Sequence, residues 1–132
     1  MFTLFAVFIS NSVVAEWTFM FTSKNEIKFY VDYETIRKSG NMAKMWGLWD
    51  YRYVESSERL KWYSDYGITE VLSSKKLTEF DCRHDQFRTL YAVNYSESMG
   101  TGQIINIHDT ASDWMPTMPG SVSESLWKIA CE

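Results

Sequence analysis

Two cysteines limit the folds that are open to this chain of 132 residues. Cys82 follows a predicted strand, and Cys131 is the penultimate residue. In an oxidising compartment such a pair is typical of one structural disulfide, and closing a loop of about 50 residues would stabilise the fold by ~4 kcal/mol. Two free buried thiols are the alternative. Because no C-x-x-C pair is present and no histidine lies beside either cysteine, we predict no catalytic role for them.

The first fifteen residues resemble a signal peptide. Residues 1–15 carry no charge, begin with an apolar stretch and end in Val13-Val14-Ala15, a small-residue cleavage pattern before Glu16. The usual positive charge at the start is missing, which indicates a late start codon or a trimmed chain. The stretch is shorter than the roughly 20 apolar residues of a membrane span, and an N-terminal edge strand is the other alternative. We expect export and a mature chain without a transmembrane segment.

Length and composition predict one folded domain over residues 16–132. Apolar residues make up 45% of the chain and aromatic residues 17%, which is more than a disordered chain carries. The net charge of -4 argues against a nucleic-acid partner, since binding to phosphates requires a basic surface.

Strand patterns recur along most of the domain, separated by turn residues. In the segment over residues 86–96, period-two alternation predicts one buried face made of Phe87, Thr89, Tyr91, Val93 and Tyr95. A helical turn is expected over residues 34–37, an irregular stretch over 113–118, and a glycine hairpin over 99–102. The predicted strands cover residues 16–23, 27–32, 41–53, 71–82, 86–96 and 103–107.

The strand over residues 41–53 is apolar on both sides. A sheet covered on one side only would alternate more cleanly. We therefore expect both faces of the central sheet to be covered, one by a helix and the other by a loop or by a second subunit of a homodimer.

The end of the chain has the features of an amphipathic helix. Ser121 and Glu124 form the S-x-x-E pattern of a capping box, and Val122, Leu126 and Ile129 then repeat at helical spacing. Cys131 falls on the last turn, so a bridge to Cys82 would tie the helix to the sheet. The predicted fold class is α+β: an antiparallel sheet of about six strands with a C-terminal helix packed on one face and held by a disulfide.

The common enzyme motifs are absent, so we expect a binding protein without catalytic residues, cofactor or metal. The segment over residues 54–67 reads as a loop, with a short helical turn over residues 57–62, and it combines aromatic side chains with cations, a mixture enriched at interfaces. An equally open alternative is that this loop folds onto the second sheet face. The candidate partner-binding residues are Arg59, Lys61, Trp62, Tyr63 and Tyr66.

Several motifs resemble the surface-adhesin protein E family. In chain order they are Trp17, "VDYETIRKSGNMAKMWGLWDY", "SSKKLTEFDC", "YSESMGTGQ", Trp114 and "PGSVSESLWKIAC", and they span nearly all of the mature chain. The resemblance implies a six-stranded antiparallel sheet, a helix pinned by the Cys82–Cys131 bridge, export, and a homodimeric adhesin that binds host extracellular matrix proteins.

Two functions follow as hypotheses. The first is an exported bacterial protein, at the cell surface or in the periplasm and not in the cytoplasm, that binds extracellular matrix or other proteins. The alternative is a periplasmic structural or accessory subunit of an envelope complex.

Overall fold

The computed structural model describes residues 15–66 and 70–132, without the side chains of residues 62–66. The predicted leader over residues 1–15 lies outside this part, apart from its last residue. In chain order the elements are β1 (Thr18–Thr22), β2 (Lys28–Ser39), β3 (Met42–Asp50), α1 (Ser56–Tyr66), β4 (Ser73–Asp81), β5 (Gln86–Tyr95), a 3-10 turn (Ser98–Gly100), β6 (Ile104–His108), β7 (Met115–Pro116) and α2 (Val122–Cys131).

The strands form one antiparallel sheet, as the sequence predicts, and the first six lie in the order β1-β2-β3-β4-β5-β6. From β1 to β6, each strand pairs with the next strand in the chain, and helix α1 lies in the connection between β3 and β4. The two-residue β7 pairs with the start of β5, opposite Gln86 and Phe87. The stretch over residues 113–118 was expected to be irregular, but it contains this short strand. The predicted architecture, with a helix at the C-terminus, is confirmed.

The helical turn expected over residues 34–37 is absent, because β2 continues through this segment. Its pairing with β3 is interrupted between Asp32 and Arg37. At this irregularity the Thr35 hydroxyl accepts a hydrogen bond from the Trp46 amide at 3.0 Å, in place of a backbone carbonyl. A side chain thus maintains the ladder while the strand bulges.

A similar irregularity makes the predicted buried face of β5 wrong. The register between β4 and β5 shifts between Leu77 and Thr78, so one residue of β5 has no residue of β4 opposite it. Phe87, opposite the core residue Phe80, faces α2, whereas Tyr91, opposite Leu77, faces the other side. A one-residue shift exchanges the two faces of a strand, and Thr89 therefore lies with Phe87, while Tyr91, Val93 and Tyr95 lie on the opposite face.

The hydrophobic core lies between α2 and the sheet. Leu126 and Ala130 of the helix pack on Phe80, with Val122 and Ile129 partly buried beside them, which confirms the predicted stripe. Half of the predicted capping box is present: Ser121 Oγ accepts a hydrogen bond from the Glu124 amide at 3.2 Å, whereas the Glu124 carboxylate accepts one from the Gly120 amide at 3.4 Å and not from the Ser121 amide. The sheet residues of this core are Val31, Ala43, Met45 and Phe80.

The predicted disulfide joins the end of β4 to the last turn of α2. The Cα atoms of Cys82 and Cys131 are 5.5 Å apart and their sulfur atoms 2.09 Å apart. The helix is therefore fixed to the sheet at its C-terminal end by a covalent bond and along its length by the core.

The carboxylate of Asp81, just before Cys82, organises the turn between β4 and β5. It accepts hydrogen bonds from the amides of Arg83 and His84, from His84 Nδ1 at 2.9 Å and from Gln86 Nε2 at 3.1 Å. The Asp81 carbonyl also accepts a hydrogen bond from Trp127 Nε1 of α2 at 2.9 Å. One buried residue thus connects the turn, the sheet and the helix.

The second face of the sheet is covered in its middle by the chain itself. Leu48 has no exposed surface, and the backbone of Gly100 in the 3-10 turn lies against it and against Lys75. The amide of Gly100 donates a hydrogen bond to Ser73 Oγ at 2.8 Å. Gly100 has a φ of +67°, so the predicted glycine hairpin is confirmed. The expectation that a loop covers part of this face therefore holds.

Candidate partner-binding surface

The predicted partner-binding loop is a helix in the structure. Residues 59–66 belong to α1, which runs over Ser56–Tyr66 rather than over one short turn. Glu58, Arg59, Leu60 and Lys61 are good helix formers, and no glycine or proline interrupts the run. The apolar residues do not form a continuous stripe, which is why periodicity did not indicate the helix.

Helix α1 presents its described side chains largely to solvent. Leu60 is 63% exposed, Lys61 is exposed and Arg59 is partly buried. Asn25, in the turn between β1 and β2, donates a hydrogen bond to Glu58 at 3.4 Å and so links this helix to the edge of the sheet. The side chains of Trp62, Tyr63 and Tyr66 lie outside the described part, so their role remains a prediction.

A cluster of aromatic rings and cations lies at the β1 edge beside this helix. We call it the β1 cluster. Lys28 Nζ lies 4.3 Å from the ring centroid of Tyr53 and 5.8 Å from that of Phe19. Phe19 meets Tyr30 edge to face at 5.5 Å. The members of the β1 cluster are Phe19, Lys28, Tyr30, Arg52 and Tyr53.

The register of the sheet explains this arrangement. Phe19 is opposite Tyr30 in the pairing of β1 with β2, and both therefore lie on the same face. Arg52 and Tyr53 lie in the turn shortly after β3 ends at Asp50, and Arg52 Cζ lies 5.6 Å from the Tyr53 ring. Three consecutive strands thus bring together residues that are more than 30 positions apart in the sequence.

The β1 cluster is both exposed and cationic. Phe19 and Tyr53 are each 51% exposed. Within the residues that the structure describes, Lys28 and Arg52 form cation–π contacts but no ion pair. Burial raises the pKa of Tyr30, and the charge of Asp50 and the neighbouring Tyr53 raise it further, so its phenol stays protonated near neutral pH. The surface can therefore offer ring faces, hydrogen-bond donors and positive charge, which the carboxylate of Asp50, directly opposite Lys28 in the sheet, offsets in part.

Both edges of the sheet are available for pairing in the described part of the chain. β1 has a neighbour on one side only, and its bulge between Phe19 and Phe21 interrupts the edge. At the opposite edge, Ile104 and Ile107 of β6 are 55% and 49% exposed. An edge strand can accept a strand from another chain, because its outward backbone groups have no sheet partner.

Comparison with known proteins identifies the family to which this fold belongs. The family model described as "Surface-adhesin protein E" matches residues 17–132. The chain belongs to the surface-adhesin protein E family. The family assignment made from the sequence motifs is therefore confirmed, and the match includes every described strand and both helices.

Solved structures of protein E from Haemophilus influenzae share the fold of this family member. The selenomethionine form is 16% identical, with a TM-score of 0.57, and the match covers 86% of this chain and 84% of that one. Protein E from a non-typeable strain is 13% identical, with a TM-score of 0.54, covering 86% and 74%. A search of the curated proteins finds no match to the sequence.

Sequence reasoning did not identify the β1 cluster. Phe19, Lys28 and Tyr30 appeared as strand residues, and Arg52 and Tyr53 as the end of a strand. The sequence did indicate that Lys28 and Tyr30, two residues apart in a strand, lie on the same face. Finding the whole cluster also required knowing which strands pair with one another.

Among described residues, no group of three or more His, Cys, Asp or Glu side chains could hold a metal, and no helix is long and apolar enough to span a membrane.

Proposed function

We propose that this chain is an exported bacterial adhesin-like protein that binds a protein partner, such as a component of the host extracellular matrix. The observation that carries the proposal is the family match over residues 17–132, which covers nearly the whole domain. The proposed location is the cell surface or the periplasm, in association with the outer membrane. Binding, rather than catalysis, is the proposed activity.

The β1 cluster is the proposed contact surface, together with α1. Aromatic residues and arginine are enriched in the cores of protein interfaces, where they supply most of the binding energy. Phe19 and Tyr53 would provide the apolar contact, and Lys28 and Arg52 would attract an acidic region of the partner.

Substitution of the two exposed rings tests this surface. Because hot-spot truncations each cost about 2 kcal/mol or more, we expect Phe19→Ala with Tyr53→Ala to weaken partner binding by about 100-fold or more. Met118→Ala is the matched control, since Met118 is 61% exposed but lies beside α2. The Trp62→Ala, Tyr66→Ala double variant tests α1, and unchanged affinity would remove that helix from the site.

The location is tested on intact cells. Protease added outside the cell should cleave the chain if it is displayed at the surface, whereas complete protection would exclude a surface adhesin. The second candidate, an accessory subunit of a periplasmic envelope complex, predicts a bacterial partner that co-purifies in a fixed ratio from envelope fractions. Recovery of such a partner would favour that candidate.

A homodimer is part of the proposal. Ile104 and Ile107 expose apolar surface at the β6 edge, on the sheet face opposite α2. Burying them against a second copy would remove that surface from water. Sedimentation at micromolar concentration should show a dimer that Ile104→Ser with Ile107→Ser converts to a monomer, and a monomeric wild type would refute the dimer.

A further inference from the structure

A cleft on the helix side of the sheet is separate from the β1 cluster. It has a volume of about 270 Å³ and lies where the start of α2 stands over β3, β4 and β5. Its walls are mainly apolar and aromatic. The apolar lining residues are Trp49, Phe80, Phe87, Met115, Val122 and Leu126.

The floor of this cleft depends on a glycine. The ring of Trp49 lies over Gly47 of the same strand, and a Cβ atom at Gly47 would come within 2.9 Å of Trp49 Cζ3. Gly47 is directly opposite Lys76 of β4, whose Nζ atom lies 4.6 Å from the centroid of the Trp49 ring. The flat indole thus forms the floor and positions the ammonium group above it.

Lys76 is the one charged residue among those that line the cleft. Within the described residues it forms no ion pair, and its contact with Trp49 leaves its hydrogen-bonding capacity free. Val122 and Ser123 are the first two residues of α2, so the positive end of the helix dipole lies at the same cleft. The hydroxyl groups of Thr78 and Thr89 add further donors. The cleft therefore combines an apolar wall with the positive charge of Lys76, while the carboxylate of Glu124 in the first turn of α2 offsets part of the helix dipole.

We propose that this cleft binds a medium-chain fatty acid. The hydrocarbon chain would lie between the aromatic floor and the aliphatic residues of α2, and the carboxylate would pair with Lys76. A volume just below the 300–1,000 Å³ of drug-sized sites suits one unbranched chain. Met115 is 48% exposed at the rim, where its flexible side chain can adapt to chains of different length.

Titration of the wild-type chain with decanoate, followed by calorimetry and by NMR, tests the proposal. We expect saturable binding and intermolecular NOEs between the decanoate methylenes and the side chains of Trp49, Phe87 and Val122. Affinity should rise by up to about fourfold for each added CH₂ from hexanoate to decanoate, because each is buried. Absence of saturable binding at millimolar decanoate would overturn the proposal and leave the cleft to a partner's side chain.

Variants separate the charge from the apolar wall. Lys76→Gln should weaken decanoate binding by about tenfold or more, as expected for loss of a charge-assisted hydrogen bond, and should leave decanol binding unchanged. Lys75→Gln is the matched control, since Lys75 lies on the opposite face of β4, and decanoate binding should stay within about twofold of wild type. Thr89→Trp should fill the cleft and abolish binding. Equal decanoate affinity for wild type and Lys76→Gln, or NOEs to other residues, would contradict the proposal.

Discussion

At the end of β4, the Asp81 carboxylate holds the turn to β5, while the backbone carbonyl of the same residue accepts a hydrogen bond from Trp127 of α2. Burial alone would raise the pKa of Asp81, but hydrogen bonds from His84, from Gln86 and from backbone amides outweigh it and lower the pKa to about 2. The ionised form is therefore the one that the folded state stabilises. Stability from this group is fully present above the unfolded-state pKa of about 4 and is lost as the pH falls through about 2.

The first prediction concerns Asp81→Asn. At pH 7 the variant should melt at a lower temperature than wild type, because the amide cannot replace a carboxylate that accepts four hydrogen bonds. The difference in melting temperature should shrink between about pH 4 and pH 2, where wild type loses the same contribution. Asp109→Asn, at an exposed position, should change neither the melting temperature at pH 7 nor its dependence on pH. A difference that stays constant down to pH 2 would contradict this role of Asp81.

At the scale of elements, α2 depends on its cap as well as on its apolar stripe. Ser121→Ala removes the hydroxyl that accepts a hydrogen bond from the Glu124 amide. We expect the free energy of unfolding, measured in urea titrations, to fall by about 1 kcal/mol. The matched control is Ser125→Ala, at an exposed position within the helix, which should change stability by less than about 0.5 kcal/mol. Equal effects of the two substitutions would refute the capping contribution.

The disulfide contributes more to the free energy of unfolding than the helix cap does. Replacing both Cys82 and Cys131 by serine removes a constraint that closes a loop with a sequence separation of 49. The free energy of unfolding should fall by about 4 kcal/mol in the chain-entropy model. Urea titration of the double variant measures this directly, and a loss below about 1 kcal/mol would show that the core alone holds α2 on the sheet.

The sequence predicted those elements that are determined by residues close together in the chain. The α2 cap, the apolar stripe with Leu126 and the glycine hairpin at Gly100 all follow from neighbouring residues. The bulges of β2 and β5 could not be predicted in the same way, because they depend on which strand lies opposite. Only a short helical turn over residues 57–62 was predicted where α1 runs over Ser56–Tyr66, because this helix lacks a continuous apolar stripe and relies on helix propensity.

At the scale of the molecule, the same reasoning found the fold but not the binding surface. Cysteine spacing and family motifs were sufficient for the architecture. The β1 cluster required the pairing of three strands, which brings Phe19 beside Tyr30 and Lys28 beside Tyr53. The fatty-acid cleft required the packing of α2 over Trp49 and Lys76. Both surfaces arise from contacts between elements, and a single sequence does not specify those contacts.

The two proposed sites lie on different parts of one rigid sheet. The β1 cluster is at an edge, beside α1, and the cleft is under the start of α2. Phe19 and Tyr30 of the β1 cluster lie on the sheet face of Leu48, opposite α2, whereas the cleft lies on the α2 side, so truncating exposed rings of the cluster should leave the cleft intact. Decanoate should therefore bind equally well to wild type and to the Phe19→Ala, Tyr53→Ala variant.

Binding of the purified chain to immobilised fibronectin, laminin and collagen tests the central claim most directly. We expect saturable binding to at least one of them, weakened by about 100-fold or more by Phe19→Ala with Tyr53→Ala and unchanged by Met118→Ala. Absence of saturable binding to all three, or equal binding by both variants, would contradict an adhesin that acts through the β1 cluster.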